Sequence, residues 1–321
     1  MKNEVEWLDD ALSSKSIEQA MTHYRVQNKV MQATNGRIVA SCPCSIEGKF
    51  LVPGLELGKI LKRLPNDPSP KIQGDRLVLR SGKFSGSLQI LPAEEWRFPE
   101  LETETEWVKF PPSLVPIMRD LRPFVSQNAI HQWSRGLAID DGWVYATDGS
   151  ALAGAEFDLG RGIQALIPEW VVDFILERLD GLEYWGGTSS YMAFKWRNGS
   201  WMRSTLIEGK FPERAGQMVR QVPVCTQAVS EDYRRAMARV LELSEEVVSV
   251  YADRLEGRTA RTIVTEDITS EVPDGAAASL WGVRHLVPVM AVANSWSPSL
   301  WPAPVPFRGA RVRGYIAGRI G

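Results

Sequence analysis

Three features of the sequence predict an α+β fold built from three tandem domains. They are a self-similarity near 115 residues, amphipathic helical segments set among many short strands, and a length of 321 residues that one ordinary core does not fill. Val52-Pro53 opens a segment with Ile60, Leu61, Arg63 and Leu64. Ile167-Pro168 opens another with Ile175, Leu176, Arg178 and Leu179, each offset by 115. A third segment, Val283 to Asn294, keeps only the apolar period, in Leu286, Val287 and Met290. Leu88-Gln89-Ile90-Leu91 leading to Phe98-Pro99-Glu100 echoes Thr205-Leu206-Ile207 leading to Phe211-Pro212-Glu213. The period is too long for a solenoid. The expected domains are therefore residues 1–107, 108–220 and 221–321, each with two helices packed on antiparallel sheets.

In the first domain the pattern predicts helices over Val5–Ser13 and Leu55–Leu64, the second burying Leu55, Ile60, Leu61 and Leu64. Strands follow as Thr22–Gln27, Lys29–Ala33, Arg37–Ile46, Arg76–Arg80 and Ser85–Leu91, with Asn35-Gly36 as a hairpin turn. In the second domain helices are expected over Ser113–Val125 and Glu169–Leu179. Strands Gly136–Ile139 and Trp143–Thr147 flank the turn Asp140-Asp141-Gly142. The third domain carries helices Ser230–Leu243 and Val283–Asn294. Ser230 is a plausible N-cap, and Glu231 and Asp232 favour the helix dipole.

A formal net charge of −2 excludes a protein that coats nucleic acid by bulk charge, though not a basic patch. No apolar run reaches membrane-span length, and the acidic start lacks the layout of a secretion signal, so a cytoplasmic setting is expected. Cys42, Cys44 and Cys225 cannot make a disulfide framework, and zinc needs about four ligands. His23, His131 and His285 stand in no metal or triad spacing. Asp140, Asp141 and Asp148 are the one tempting carboxylate group, but Asp-Gly turns explain them better than hydrolysis does. No catalytic residue, metal or cofactor is expected.

Basic residues recur on the faces that helical periodicity leaves exposed. They are Lys59, Lys62 and Arg63; Arg119 and Arg122; Arg234, Arg235 and Arg239; and Arg284 beside His285. The segment Glu169–Leu179 is the exception, since Glu169, Asp173 and Glu177 form an acidic line answered only by Arg178. Solvated helix faces are often basic, so charge alone leaves a bland reading open.

Two ordered motifs carry a resemblance. Val144-Tyr-Ala-Thr-Asp-Gly-Ser-Ala-Leu-Ala153 is similar to Ala-Thr-Asp-Gly-His-Arg-Leu-Ala, and Leu206-Ile-Glu-Gly-Lys-Phe-Pro-Glu213 to Leu-Ile/Val-Asp-Gly-Arg-Phe-Pro-Asp. Both motifs belong to the bacterial-type DNA polymerase sliding clamps, the replicase beta subunits. Arg76-Leu-Val-Leu-Arg-Ser-Gly82, Ser87–Ala93 and Phe98-Pro99 resemble the end of that family's first domain. The likeness is good from about Val52 to Val240 and weak at both ends.

The resemblance implies a ring of six domains, made by two subunits joined head to tail, that encircles duplex DNA without reading sequence and tethers DNA polymerase and clamp loader through linear peptides. It implies no membrane partner and no enzymatic activity. The basic faces described above, with Arg178, Gln132 and Trp133, would then meet DNA; Trp133 as a core residue is the rival reading. Val108, Phe110, Leu241 and Leu243 would lie at the subunit interface, where Glu242 departs from the family's apolar habit. The peptide pocket would be lined by Thr147, Gly149, Ser150, Ala151, Leu152, Pro212, Met218, Tyr315, Ile316, Arg319 and Ile320. Ser150-Ala151 stands for His-Arg, and Tyr-Ile-Ala-Gly-Arg-Ile-Gly for Val-Met-Pro-Met-Arg-Leu, as a phage or mobile-element version could show. The alternative is a clamp-derived interaction protein or decoy that keeps the pocket without the ring.

Overall fold

A computed structural model describes residues 1–98, 105–126, 129–157, 164–270, 272 and 278–319. The chain packs as two compact units, Met1–Phe110 with Asp173–Leu206, and Pro111–Val172 with Ile207–Gly321. Packing thus follows a different division from the expected one, because residues 108–220 contribute to both units. No described helix is long and apolar enough to cross a membrane.

Unit 1 holds a nine-stranded antiparallel sheet. Its order is Leu91–Pro92, Lys49–Pro53, His23–Gln27, Val30–Thr34, Ile38–Pro43, Trp201–Thr205, Tyr191–Trp196, Leu182–Gly187, Val108–Lys109. A second sheet of three strands, Ser69–Gln73, Arg76–Ser81 and Phe84–Gln89, ends on Phe84–Gln89 as an edge. Helix α1 is Lys2–Leu8 and α2 is Gly54–Arg63. In α2, Leu57 and Leu61 face the core while Leu55 is exposed, which corrects the expected apolar face by part of a turn. The reason is that Gly54 opens the helix against Leu12 and Tyr24, and Leu57 rather than Leu55 continues that line.

Unit 2 repeats the plan. Its eight-stranded sheet runs Ala165–Pro168, Gly136–Asp140, Trp143–Thr147, Ala151–Glu156, Val312–Ile316, Val305–Gly309, Ala293–Trp296, Gln227–Ala228. A four-stranded sheet, Ile263–Asp267, Arg254–Arg258, Val247–Val250 and Ser279–Gly282, has Ile263–Asp267 at one edge. Helices α3 (Leu114–Leu121), α5 (Glu213–Arg220), α6 (Glu231–Glu242) and α7 (Val283–Val292) pack in this unit, and α4 (Glu169–Glu177) spans the point where the units divide. Ser230 caps α6 as expected, accepting from the Tyr233 amide at 3.1 Å. Trp281, Trp296, Tyr145 and Phe307 are fully buried in this unit, as Tyr24, Leu51 and Phe194 are in unit 1.

One local motif shows the repeat atom by atom. In Ala33-Thr-Asn-Gly36 the Thr34 hydroxyl donates to the Ile38 carbonyl at 2.7 Å and accepts from the Gly36 amide at 3.1 Å. The Asn35 carboxamide oxygen accepts from the amides of Arg37 and Ile38, both at 3.0 Å. In Ala146-Thr-Asp-Gly149 the Thr147 hydroxyl donates to Ala151 at 2.7 Å and accepts from Gly149 at 3.1 Å. The Asp148 carboxylate accepts from Ser150 at 2.9 Å and Ala151 at 2.7 Å. Each glycine sits at positive φ, 83° and 92°, where a side chain would be strained. A third hairpin enters Ile263–Asp267 through Thr259, whose hydroxyl accepts from the amides of Arg261 at 3.1 Å and Thr262 at 3.0 Å. These turns fix where the strands Ile38–Pro43, Ala151–Glu156 and Ile263–Asp267 begin.

Thr34 and Thr147 are buried. Thr34→Val and Thr147→Val each remove two turn hydrogen bonds, while the Ile38 and Ala151 carbonyls keep those from the Asn35 and Asp148 amides, and are each expected to cost about 1–2 kcal/mol. Urea unfolding followed on each variant reads this, and an unchanged midpoint in either shows that its turn does not depend on the hydroxyl.

Candidate functional site

The residues expected to line a peptide pocket lie together in unit 2. Ala151 and Leu152 pair with Ile316 and Tyr315 across two central strands. The Ala317 amide continues that ladder to the Ser150 carbonyl at 2.8 Å. Helix α5 packs across these strands, with Gly216 against the Tyr145 ring and Arg220 donating to the Tyr145 hydroxyl at 2.8 Å. Leu152, Trp133, Ile207 and Ala215 cover a core of Ala138, Trp143, Tyr145, Leu166, Phe211 and Val219. Met218 is exposed on α5, Pro212 is half-buried at its start, and Thr147 is buried in the turn described above. The result is a wall of apolar side chains with small residues, Gly149, Ser150 and Ala151, at one end.

The C-terminal segment closes that same end, running from Ala317 past Ser150. The Arg319 amide donates to Leu280 at 2.8 Å, and Trp301 Nε1 donates to the Arg319 carbonyl at 3.2 Å. Arg319 keeps a half-exposed guanidinium 3.8 Å from Glu246. Ile320 lies outside the described residues. Sequence reasoning missed α5 as a helix, although Pro212-Glu213 is an N-terminal signal with an acidic first turn. It also missed His285, whose Nδ1 is 2.5 Å from Asp148 Oδ2, with the carboxylate side chain 6% exposed. Asp148 is therefore more than a turn residue, because it ties the 147–152 turn to the first turn of α7. Burial pushes its pKa up, but the hydrogen bonds from His285, Ala151 and Ser150 outweigh this and hold the carboxyl below its ordinary value. Among the described residues no cluster of His, Cys, Asp or Glu could hold a metal ion.

The expected basic faces divide. Arg178 is not a surface cation. Its side chain is 11% exposed, its Nε donates to the Trp7 carbonyl at 3.0 Å, its Nη2 meets Asp10 at 2.6 Å, and its guanidinium lies 4.1 Å from the Phe174 ring. Arg234 is likewise half-buried, donating to the Met290 carbonyl and to Ala293 at 2.7 Å. Both are corrected to structural residues, for the same reason: each satisfies carbonyls left open at a helix end. Arg235 pairs with Asp232 at 2.8 Å and Arg239 with Glu266 at 2.5 Å, and both border a groove of about 470 Å³. Lys62 pairs with Asp9 at 3.4 Å. Lys59, Arg63, Arg119 and Arg284 are exposed, with no ion pair among the described residues, and Arg122 is half-buried. Gln132 is exposed. Trp133 stacks on His131 at 5.2 Å and meets Phe211 edge-on at 5.7 Å, so it is a core-edge residue with one face covered by His131.

Of the expected interface residues, Phe110 and Leu241 are buried, Phe110 against Trp185 at 5.8 Å. Packing within the chain already covers both. Val108 is half-buried in a strand paired with Tyr184 and Trp185, and Leu243 is 54% exposed.

No family model matches the chain. A beta sliding clamp of Proteus mirabilis is 25% identical over 217 residues, 62% of this chain and 58% of that protein. The chain thus spans less than two thirds of this relative's length. Among solved structures, the Caulobacter crescentus pol III beta superimposes with a TM-score of 0.79 at 17% identity, covering 100% of this chain and 97% of that one. A Helicobacter pylori beta clamp bound to a DNA ligase peptide gives a TM-score of 0.75 at 14% identity, covering 99% and 97%.

The sign of the Asp148 shift sets a pH dependence. A carboxyl held low in the folded state contributes stability above its unfolded pKa of about 3.9 and loses it as pH falls through the lower folded value. Asp148→Asn is expected to cost about 1.5–3 kcal/mol at pH 7 and to flatten the stability profile below about pH 4. Thermal unfolding from pH 3 to 7 measures this, and parallel profiles for variant and wild type remove the assignment.

Proposed function

The chain is a bacterial-type sliding-clamp homologue, and from that premise we propose that it is a DNA sliding clamp, a non-enzymatic processivity factor that works in the cytoplasm by encircling duplex DNA. In this reading residues 1–107, 108–220 and 221–321 are three structural repeats. The observation that carries it is a joint made twice. Ile38–Pro43 pairs antiparallel with Trp201–Thr205 in unit 1, and Ala151–Glu156 with Val312–Ile316 in unit 2. Each joins the third strand of one half-sheet to the last strand of another. One half-sheet of each kind is left over. Ile263–Asp267 and Phe84–Gln89 are edges with unpaired backbone groups among the described residues, and Ile263 is 64% and Phe84 38% exposed. Exposed edges of that length invite pairing. Two copies that form the missing joint twice make a closed twofold object.

The hairpin turns set the register of the missing joint. Thr34, Thr147 and Arg258 hold the same place before their turns, as do Val39, Leu152 and Ile263 after them. Ser81–Phe84 and Trp196–Ser200 correspond at the other hairpin. Carrying over the Val39–Arg203 pair sets Ile263 opposite Ser87 of the second copy. Phosphates would be met by Lys59, Arg119, Arg284 and Gln132, with Arg122 beside them. Arg235 can exchange the exposed Asp232 carboxylate, and Arg239 the half-buried Glu266 carboxylate, for a phosphate. DNA polymerase and clamp loader would dock by apolar-anchored peptides between α5 and the strands Ala151–Glu156 and Val312–Ile316. The Helicobacter pylori clamp that carries a DNA ligase peptide supports that use of the fold. Ser150 and Ala151 are small and uncharged where the family motif has His-Arg, which favours peptides with bulky apolar anchors.

The chain is expected to run at twice 35.9 kDa by native mass spectrometry. Oxidation of Ser87→Cys with Ile263→Cys should give a covalent dimer retained on circular but not linear DNA. A monomer that still binds clamp-directed peptides selects the decoy reading, and equal loss from both DNA forms rejects encirclement. Leu152→Arg should weaken binding of an apolar-anchored clamp peptide at least about tenfold and leave the dimer intact. Unchanged affinity in fluorescence anisotropy moves the peptide site elsewhere.

A further inference from the structure

We propose that Arg63 is a subunit-joining residue that seats on the C-terminal end of α6 in a second copy of the chain, and that it is not a DNA contact. The inference rests on the ring reading above and deepens it. Its basis is the joint in unit 1. Beside the pairing of Ile38–Pro43 with Trp201–Thr205, the end of α4 docks on the end of α1. Arg178 donates to the carbonyl of Trp7 at 3.0 Å and of Glu6 at 3.4 Å, and its guanidinium meets Asp10 at 2.6 Å. Trp7 packs edge-on against Phe174 at 5.4 Å and Trp196 at 5.3 Å. An arginine therefore neutralises the negative end of one helix across a strand joint and pairs with an acid just past it.

The 115-residue repeat puts Arg63 in α2 where Arg178 stands after α4. Ile60, Leu61 and Leu64 match Ile175, Leu176 and Leu179. Unlike Arg178, Arg63 is exposed and has no ion pair among the described residues. Its seat is missing from unit 1 because α1 already receives Arg178. The helix that stands to Ile263–Asp267 as α1 stands to Ile38–Pro43 is α6, which packs on Ile263–Asp267 and on Arg254–Arg258. Its end carries the matching chemistry: Glu242, Leu243, Glu245 and Glu246 are all exposed there. The buried line Met1, Val5, Leu8 of α1 matches Tyr233, Met237, Val240 of α6, which puts Glu242 in the place of Asp10. The joint inside unit 2 uses no such arginine, because Ala293 holds the corresponding position.

The charges also explain a departure from the sliding-clamp pattern. Glu242 is unfavourable as part of an apolar interface. It is favourable as the acceptor for an arginine arriving at a helix C-terminus, where the helix's own carbonyls are the second set of acceptors.

Sedimentation velocity on the full chain, with a dilution series for the dimer dissociation constant, tests this. Arg63→Glu should weaken the dimer about tenfold or more. Lys59→Glu, a charge reversal one turn away on the same helix, should leave it unchanged while lowering retention on circular DNA. Arg63→Glu combined with Glu242→Arg should restore the dimer. An Arg63→Glu protein that dimerises as tightly as wild type overturns the proposal and leaves the ring reading standing. A wild-type chain that stays monomeric overturns the ring reading and this proposal with it. Loss of the dimer that Glu242→Arg fails to restore overturns the seat on α6.

Discussion

The structure depends on antiparallel pairing between half-sheets that lie far apart in the chain. A strand edge is a row of unsatisfied amides and carbonyls, and each unit removes two such edges by setting them against one another. The Thr-Asx-Gly turns make this possible, because they start the strands Ile38–Pro43 and Ala151–Glu156 in the same register relative to the hairpin. Helices then cover the joint. In unit 1 the cover is aromatic, Trp7 with Phe174 and Trp196. In unit 2 α7 packs on both strands that meet, and α3 does the same.

Much of this was legible in the sequence. The 115-residue spacing shows in Arg63 and Arg178, and the helices at 55–64, 113–125, 230–243 and 283–294 appear within a few residues of their predicted bounds. Asp140-Asp141-Gly142 forms the turn expected of it, with Asp141 and Gly142 at positive φ. What sequence patterning could not supply was partnership across long separations. Leu55 and Leu57 are equally apolar, but Leu57 shares its face with Leu61 and Leu64 and is the one buried. Arg178 and Arg234 read as exposed cations on a helical wheel. Their acceptors, carbonyls at the ends of other helices, carry no mark in the sequence.

The candidate peptide site shows the same split. Thr147, Leu152 and Tyr315, named from motif likeness, lie on paired neighbouring strands. His285 was dismissed as a lone histidine because Asp148 is 137 residues away. Helix α5 was overlooked because Glu213–Arg220 is short and mostly polar, and its stability comes from Tyr145 and the strands beneath it. Residues that act through tertiary partners are the ones a single sequence hides.

The two joints inside the chain differ from the one proposed between copies in a way that backbone chemistry does not reveal. Trp201–Thr205 is tethered to Ile38–Pro43 by its own polypeptide, so after any breach the strands meet again at an effective concentration of the order of millimolar. Phe84–Gln89 and Ile263–Asp267 of separate copies have no such tether. In the ring proposed above, a gate would therefore open between copies, with the connected joints as its hinges.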